Sequence, residues 1–126
     1  MWRYYNPNPA GRMVGDCSVR AVSAALDVSW DEAFDMVADM AKEMCDMPSS
    51  DAVWGAVLRQ HGFVRSVIPN RCPDCYTIGD FAEDFPFGTY VLGTGEHVVT
   101  VRDGVAMDTY DSTQQIPAYM WTEIRR

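Results

Sequence analysis

The spacing of apolar and polar residues divides the chain into a helical part followed by a strand-rich part. Three segments, opening at Cys17, at Ser29 and at Ser49 or Ser50, carry apolar residues every three or four positions, the period of a helix with one buried face. A proline- and glycine-rich stretch over 4–15 predicts a loop before them. After Gly62 the pattern changes to short β-branched and aromatic runs such as TYVLG, HVVTVR and VAMDTY, which favour strands. This order predicts an α+β fold, with N-terminal helices packed on a small C-terminal antiparallel sheet.

Local signals predict where the helices begin and end. Asp16 is a candidate N-cap for the first helix, and Ser29 with Glu32 three residues on resembles a capping box for the second. Gly62 predicts the end of the third helix, and Thr77 opens a short fourth one, TIGDFAEDF. The buried face of the second helix is predicted to hold Trp30, Phe34, Val37, Met40 and Met44.

Composition narrows the class of protein. A chain of 126 residues with 48% hydrophobic residues can form one cored domain over 1–126 without disulfides. Its net charge of -8 argues against direct nucleic-acid binding. It has no apolar run of about 20 residues and no apolar signal segment, so we expect no membrane contact and a cytoplasmic location. We predict no cofactor, and the oligomeric state stays open.

A cysteine and a histidine stand at positions suited to catalysis. Cys17 is predicted in the first turn of a helix, where free amides and the helix dipole favour a thiolate; the alternative is a buried, inert thiol. His97 opens a strand after a flexible-looking segment over 93–96, which places its ring at a sheet end. His61, beside Gly62, instead suits the capping of a helix C-terminus.

The register of the last hairpin selects a carboxylate partner for the histidine. With Asp103 and Gly104 as a two-residue turn, Asp108 becomes the diagonal neighbour of His97, roughly 7 to 8 Å away at the backbone. Two polar side chains can bridge that distance. Asp111 falls on the other face of the hairpin, which makes it the weaker candidate. It would become the favoured acid only if a one-residue bulge shifted the register.

The motifs GDCSVRA and HVVTVRDGVAMDTYD resemble those of papain-like cysteine peptidases, in which a cysteine opens the first helix and a strand histidine precedes an acid. The stretches NPNPAGRMVGDC and MPSSDAVWGAVLRQHGF are similar to small prophage-associated bacterial proteins. The resemblance implies a papain-like fold, a bacterial or phage-encoded origin, and a triad of Cys17 as nucleophile, His97 as general base and Asp108 as the orienting acid.

One departure from that family concerns the oxyanion. Papain-like enzymes commonly carry a glutamine about six residues before the cysteine, and here that position is Gly11. The side-chain amides of Asn8 and, secondarily, Asn6 could donate the same hydrogen bond. The alternative is that both asparagines form turns before the prolines that follow them.

A working triad predicts acyl transfer through a thioester. The expected activity is that of a peptidase, isopeptidase or amidase on a peptide or protein substrate; a deamidase or transglutaminase would use the same groups. The alternative from another class is a non-catalytic binding or inhibitor protein on a papain-like scaffold.

A second cysteine motif suggests different chemistry. Cys72 and Cys75 form a C-x-x-C pair, and Cys45 could supply a third zinc ligand, but a fourth ligand is missing unless His61 serves. A reversible disulfide or plain structural thiols are the favoured interpretation.

Overall fold

A computed structural model describes residues 1–69 and 75–124, which contain four helices and six strands. The helices are α1 (Cys17–Leu26), α2 (Trp30–Met44), α3 (Asp51–Gln60) and α4 (Ile78–Asp84). The strands are β1 (Trp2–Tyr4), β2 (Phe63–Val67), β3 (Thr89–Gly93), β4 (Val98–Arg102), β5 (Val105–Asp108) and β6 (Tyr119–Glu123). The α+β class expected from the sequence is confirmed.

The strands form a single mixed sheet in the order β1-β5-β4-β3-β6-β2. β1 runs parallel to β5, with Tyr4 opposite Asp108, whereas the other neighbouring strands are antiparallel. The sheet is therefore mixed and includes an N-terminal strand, so the prediction of a C-terminal antiparallel sheet was wrong in both respects. The three residues of β1 are all exposed, so the strand has no apolar pattern of its own and is fixed by backbone pairing with β5.

Most helix ends lie where the local signals put them. Ser29 accepts the Glu32 N–H at the start of α2, and Thr77 forms a capping box with Asp80 at the start of α4. Asp16 occupies the predicted N-cap position of α1, but its side chain makes no capping hydrogen bond. The amides of the first turn of α1 are left without a side-chain cap.

The buried face of α2 differs from the predicted one. Ala33, Val37 and Ala41 are buried, whereas Phe34 and Met44 are 43% and 41% exposed. The reason is that α2 packs against both α1 and α3, and its small alanines let the neighbouring helices approach closely. Among the described residues no helix has the length and apolar character that crossing a membrane requires.

The two faces of the sheet are covered differently. Side chains of α1, α2 and α3 pack in one cluster with Val98, Trp121 and other residues of one face. Those of α4 pack with Leu92, Val99 and others of the opposite face. Gly55 lets α3 pack closely on this face, because a Cβ there would lie 2.8 Å from Trp121 Cζ2. This arrangement brings the start of α1 next to the start of β4.

Candidate active site

Cys17 is the first residue of α1, and its side chain is half-buried where β4 begins. Its sulfur lies within hydrogen-bonding reach of the His97 ring and of the Val98 backbone N–H. The side chain of Asp16 does not cap the helix, so it does not compete for the amides of the first turn. The positive end of the α1 dipole therefore acts directly on the thiol.

The hairpin of β4 and β5 has the predicted register. Its two-residue turn consists of Asp103 and Gly104, with φ of 48° and 76°, and Arg102 pairs with Val105 across the strands. Two consecutive positive φ values give the turn whose twist matches that of the flanking strands. The turn chemistry that suggested the register is therefore confirmed.

His97 stands between Asp108 and Cys17 at the open end of this hairpin. Its Nε2 lies 2.6 Å from Asp108 Oδ2, and its ring centroid lies 5.2 Å from that of Tyr110. Because Nε2 faces the carboxylate, Nδ1 is the ring nitrogen left for the sulfur. The structure thus brings the three predicted residues together in the order thiol, imidazole, carboxylate.

Asp108 is fully buried and accepts hydrogen bonds on both oxygens. Oδ2 accepts from His97 and, at 2.7 Å, from the hydroxyl of Ser112. Oδ1 accepts from Arg20 Nη2 at 2.9 Å and from the Thr109 N–H at 2.8 Å. Four donors hold this carboxylate in its ionised form and in one orientation.

The thiol and the imidazole shift each other's pKa. Burial raises the pKa of the Cys17 thiol, but hydrogen bonding to His97 and Val98 and the positive charges of His97 and Arg20 together lower it below its ordinary value. Burial lowers the pKa of His97, but hydrogen bonds and charge attraction from Asp108 and Cys17 raise it to about 9. A thiolate and an imidazolium therefore stabilise each other in this site.

Arg20 belongs to the site and was not predicted from the sequence. Its Nη1 lies 2.7 Å from Asp16 Oδ1 and its Nη2 lies 2.9 Å from Asp108 Oδ1, so one buried guanidinium bridges two buried carboxylates. The other oxygen of Asp16 accepts from Trp30 Nε1 at 2.9 Å. A signal was present, because Arg20 is the only charged residue in the helix CSVRAVSAAL and lies four residues after Asp16.

The structure does not bring the predicted oxyanion donors to the thiol. Asn6 Nδ2 donates to the Arg12 carbonyl, and Asn6 Oδ1 accepts the Asn8 N–H. Asn8 Oδ1 accepts the Ala10 N–H, which is the local turn contact typical of asparagine. Neither side chain lines the cavity at Cys17.

Two other candidates also lie apart from the triad. Asp111, the alternative acid, is exposed, and hydrogen bonds from the Thr113 hydroxyl and N–H lower the pKa of its carboxyl. The His61 ring contacts the Val57 carbonyl at 2.9 Å through Nδ1, at the end of α3. Both residues serve local structure.

The cysteines proposed as zinc ligands do not gather in the part of the chain that the structure describes. No group of three or more potential ligands occurs within residues 1–69 and 75–124. Cys45 is a free, exposed thiol after α2, Cys75 is disulfide-bonded, and Cys72 lies outside the described residues. Because a disulfide sulfur is not a thiolate, Cys75 is not a zinc ligand in this form.

A small cavity of about 100 Å³ opens at Cys17, with Asp51 and Glu96 in its wall. The Tyr119 hydroxyl donates to Asp51 Oδ2 at 3.0 Å beside this cavity. The Tyr119 ring lies across Gly93, and a Cβ at that position would overlap the ring. The cavity is shaped by the first turn of α1, by the first turn of α3 and by the segment before β4, and Tyr119 of β6 reaches it only through its bond to Asp51.

Comparisons with known proteins find no relatives for this site. No protein-family model matches the chain, and neither the curated proteins nor the solved structures contain a match to it. The resemblance to papain-like cysteine peptidases stays a prediction, and the site is interpreted from its own geometry.

Proposed function

We propose that the protein is a cysteine hydrolase that cleaves amide bonds in peptide or protein substrates, on a papain-like scaffold. The proposal rests on one arrangement: a thiol at an uncapped helix start, an imidazole within its reach, and a buried carboxylate behind the imidazole. An inert structural cysteine needs neither partner, whereas a nucleophilic one needs a base that a third group orients.

The chemistry follows from the ion pair. The Cys17 thiolate attacks the carbonyl carbon, and the carbonyl π electrons move to oxygen to form a tetrahedral oxyanion. Collapse of this oxyanion breaks the C–N bond as the His97 imidazolium gives its Nδ1 proton to the leaving amine, which leaves a thioester. His97 then takes a proton from water, whose oxygen attacks the thioester, and release of the acid restores the thiolate.

Backbone amides supply the stabilisation that Asn6 and Asn8 do not. The first-turn N–H groups of α1, beginning with that of Cys17 itself, have no side-chain cap and lie beside the attacking sulfur. Donors in such a position stabilise a developing oxyanion, and each is worth about 3 to 4 kcal/mol when correctly aligned. Asp108 does not touch the substrate in this mechanism, because it acts by holding and charging His97.

Cys17 and Cys45 make an internal test of the proposal possible. Both thiols are free, and Cys45 is exposed at the end of α2, away from any histidine contact that the structure describes. We expect iodoacetamide near pH 6.5 to alkylate Cys17 at least about tenfold faster than Cys45, because His97 and the start of α1 favour the thiolate of Cys17. Mass mapping of the two peptides measures both rates in one sample.

The variants separate an enzyme from a binding protein. His97→Ala should remove the rate advantage of Cys17, and Cys17→Ala should abolish hydrolysis of a peptide and isopeptide library by otherwise intact protein. Labelling of Cys17 that is slower than that of Cys45 and indifferent to His97→Ala would instead favour the non-catalytic binding or inhibitor protein. A cytoplasmic location stays a prediction.

A further inference from the structure

A second cavity adjoins the one at Cys17 and contains two arginines. It has a volume of about 140 Å³, and Arg59 and Arg65 line it. Asp51 and Trp54 line both this cavity and the one at Cys17, so the two are neighbours across the first turn of α3. A substrate bound at Cys17 can therefore extend along α3 into the second cavity.

Both guanidinium groups are held against aromatic rings. Arg65 Cζ lies 4.3 Å from the centroid of the Tyr119 ring, and Arg59 Cζ lies 5.0 Å from that of Trp121. Tyr119 and Trp121 are alternate residues of β6 and share one face of the sheet. Contact with a ring face restrains a guanidinium while leaving its in-plane N–H donors available to a ligand.

In the part of the chain that the structure describes, these donors have no carboxylate partner. Within residues 1–69 and 75–124, neither Arg59 nor Arg65 forms an ion pair, although the chain has 18 acidic residues for 10 basic ones. Asp51 is the acid that shares their cavity, and its Oδ2 accepts from the Tyr119 hydroxyl. The second cavity therefore holds two cations that contact aromatic rings and form no ion pair with any residue of 1–69 or 75–124.

We propose that Arg59 and Arg65 form a subsite for a carboxylate of the substrate, on the α3 side of the scissile bond. The proposal rests on the hydrolase function of Cys17. Asp51 lines both cavities, but Glu96 lines only the one at the thiol and the two arginines line only the other, so an anion is favoured at the arginines. A planar guanidinium matches a carboxylate through paired N–H···O bonds. The carboxylate is either a free C-terminus or an acidic side chain.

Alkylating agents with a carboxylate at a set distance test the subsite without a known substrate. We would use N-iodoacetyl derivatives of glycine, 4-aminobutanoic acid and 6-aminohexanoic acid, each as the acid and as its primary amide. Cys17 thiolate displaces iodide from each probe, forming a C–S bond, so the rate ratio of acid to amide reports the effect of the carboxylate alone. The best spacer measures the reach from Cys17 to the arginines.

The comparison is between two pairs of substitutions with the same change in net charge. Arg59→Gln with Arg65→Gln should lower the acid-to-amide ratio about fivefold or more at low salt, the scale of a partly exposed charge contact. Arg3→Gln with Arg12→Gln, outside this cavity, should leave the ratio unchanged. In the unaltered protein the ratio should also fall as salt is added. A ratio that is the same in all three proteins, or insensitive to salt, overturns the subsite.

Two isomeric probes identify the source of the carboxylate. N-iodoacetyl-glutamine carries it at the terminus, and N-iodoacetyl-isoglutamine carries it on the side chain, so the faster of the two shows which form the subsite takes. Failure here is distinct from failure of the hydrolase proposal. The hydrolase proposal is contradicted if neutral iodoacetamide labels Cys17 slowly and at a rate that does not depend on His97. The subsite is contradicted if the acid-to-amide ratio does not depend on Arg59 and Arg65.

Discussion

The β4–β5 hairpin has an aspartate at each end. At the turn, Asp103 is exposed, and its carboxylate accepts the Gly88 N–H at 2.9 Å, so it organises backbone in contact with water. At the open end, Asp108 is fully buried, and it binds the side chains of Arg20, His97 and Ser112. The same residue type therefore organises the backbone at one end and holds the side chains of the candidate site at the other.

Desolvation explains the difference between the two ends. Exposed ion pairs contribute about 0 to 1 kcal/mol, whereas removing one partner of a buried pair costs about 3 to 5 kcal/mol. Asp108 can therefore influence the pKa of His97 strongly, and Asp103 has no comparable effect on a neighbour. The site lies where the fold excludes water from the charged end of the hairpin.

Of the substitutions at the two ends of the hairpin, the replacement of Asp108 is expected to lower turnover most. In Asp108→Asn, turnover should fall by about 100-fold or more with a smaller change in KM, because the ring loses its orienting acceptor and the imidazolium loses its counter-charge. Loss of a nearby negative charge disfavours the charged imidazole, so the pKa of His97 should fall from about 9. A proton NMR titration of the His97 ring measures this shift directly.

The fall in the pKa of His97 in Asp108→Asn should also shift the pH dependence of kcat/KM in one direction. The active ion pair exists above the lowered pKa of Cys17 and below the raised pKa of His97, so the alkaline limb of kcat/KM should move to lower pH in Asp108→Asn. An alkaline limb that stays near pH 9 would show that Asp108 does not charge the histidine.

Arg20 gives an intermediate effect, because it acts on the triad through Asp108. Arg20→Met leaves Asp16 and Asp108 without their buried cation and should lower the free energy of unfolding by about 3 to 5 kcal/mol in urea titrations. Arg20→Lys keeps the charge but not the fork that reaches both carboxylates, so it should restore only part of this stability.

The pH dependence of Cys17 labelling shows whether Arg20 acts on the triad or only stabilises the fold. Loss of the Arg20 charge removes one of the influences that lower the pKa of Cys17, so in Arg20→Met the acidic limb of thiol labelling should move to higher pH. The limb should lie closer to its original position in Arg20→Lys. Identical limbs in all three proteins would assign Arg20 a purely structural role.

The smallest effects are expected away from the buried end. Asp103→Asn should leave turnover within about twofold and change stability by no more than about 1 kcal/mol, because asparagine also tolerates positive φ in this turn. Asp111→Asn, in an exposed position, should be equally mild. Turnover that falls more in Asp111→Asn than in Asp108→Asn would mean that the acid has been misassigned.

The parts of the fold that depend on neighbouring residues were predictable from the sequence. Capping signals located the starts of α2 and α4, and the Asp103-Gly104 turn fixed the register of β4 and β5. That register and the position of Cys17 at a helix start were enough to select Cys17, His97 and Asp108, which the structure brings together.

The features that were missed depend on residues far apart in the chain. β1 is a strand because of its pairing with β5, about 100 residues later, and no pattern within WRY encodes that contact. The sequence marks Arg20 as the one charge in its helix, but its contact with Asp108, 88 positions away, depends on the fold. Asn8 was predicted as an oxyanion donor from its amide group alone. In the structure its side chain accepts the Ala10 N–H in a local turn.

Gly93 makes the shape of the cavity unusually easy to alter. Because this residue has no Cβ, the Tyr119 ring can lie flat across β3, from where it donates to Asp51 and supports Arg65. Any larger residue at 93 would displace the Tyr119 ring and so change the shape of the cavity that Arg59 and Arg65 line. Position 93 is therefore a point from which a single substitution can reshape the proposed subsite.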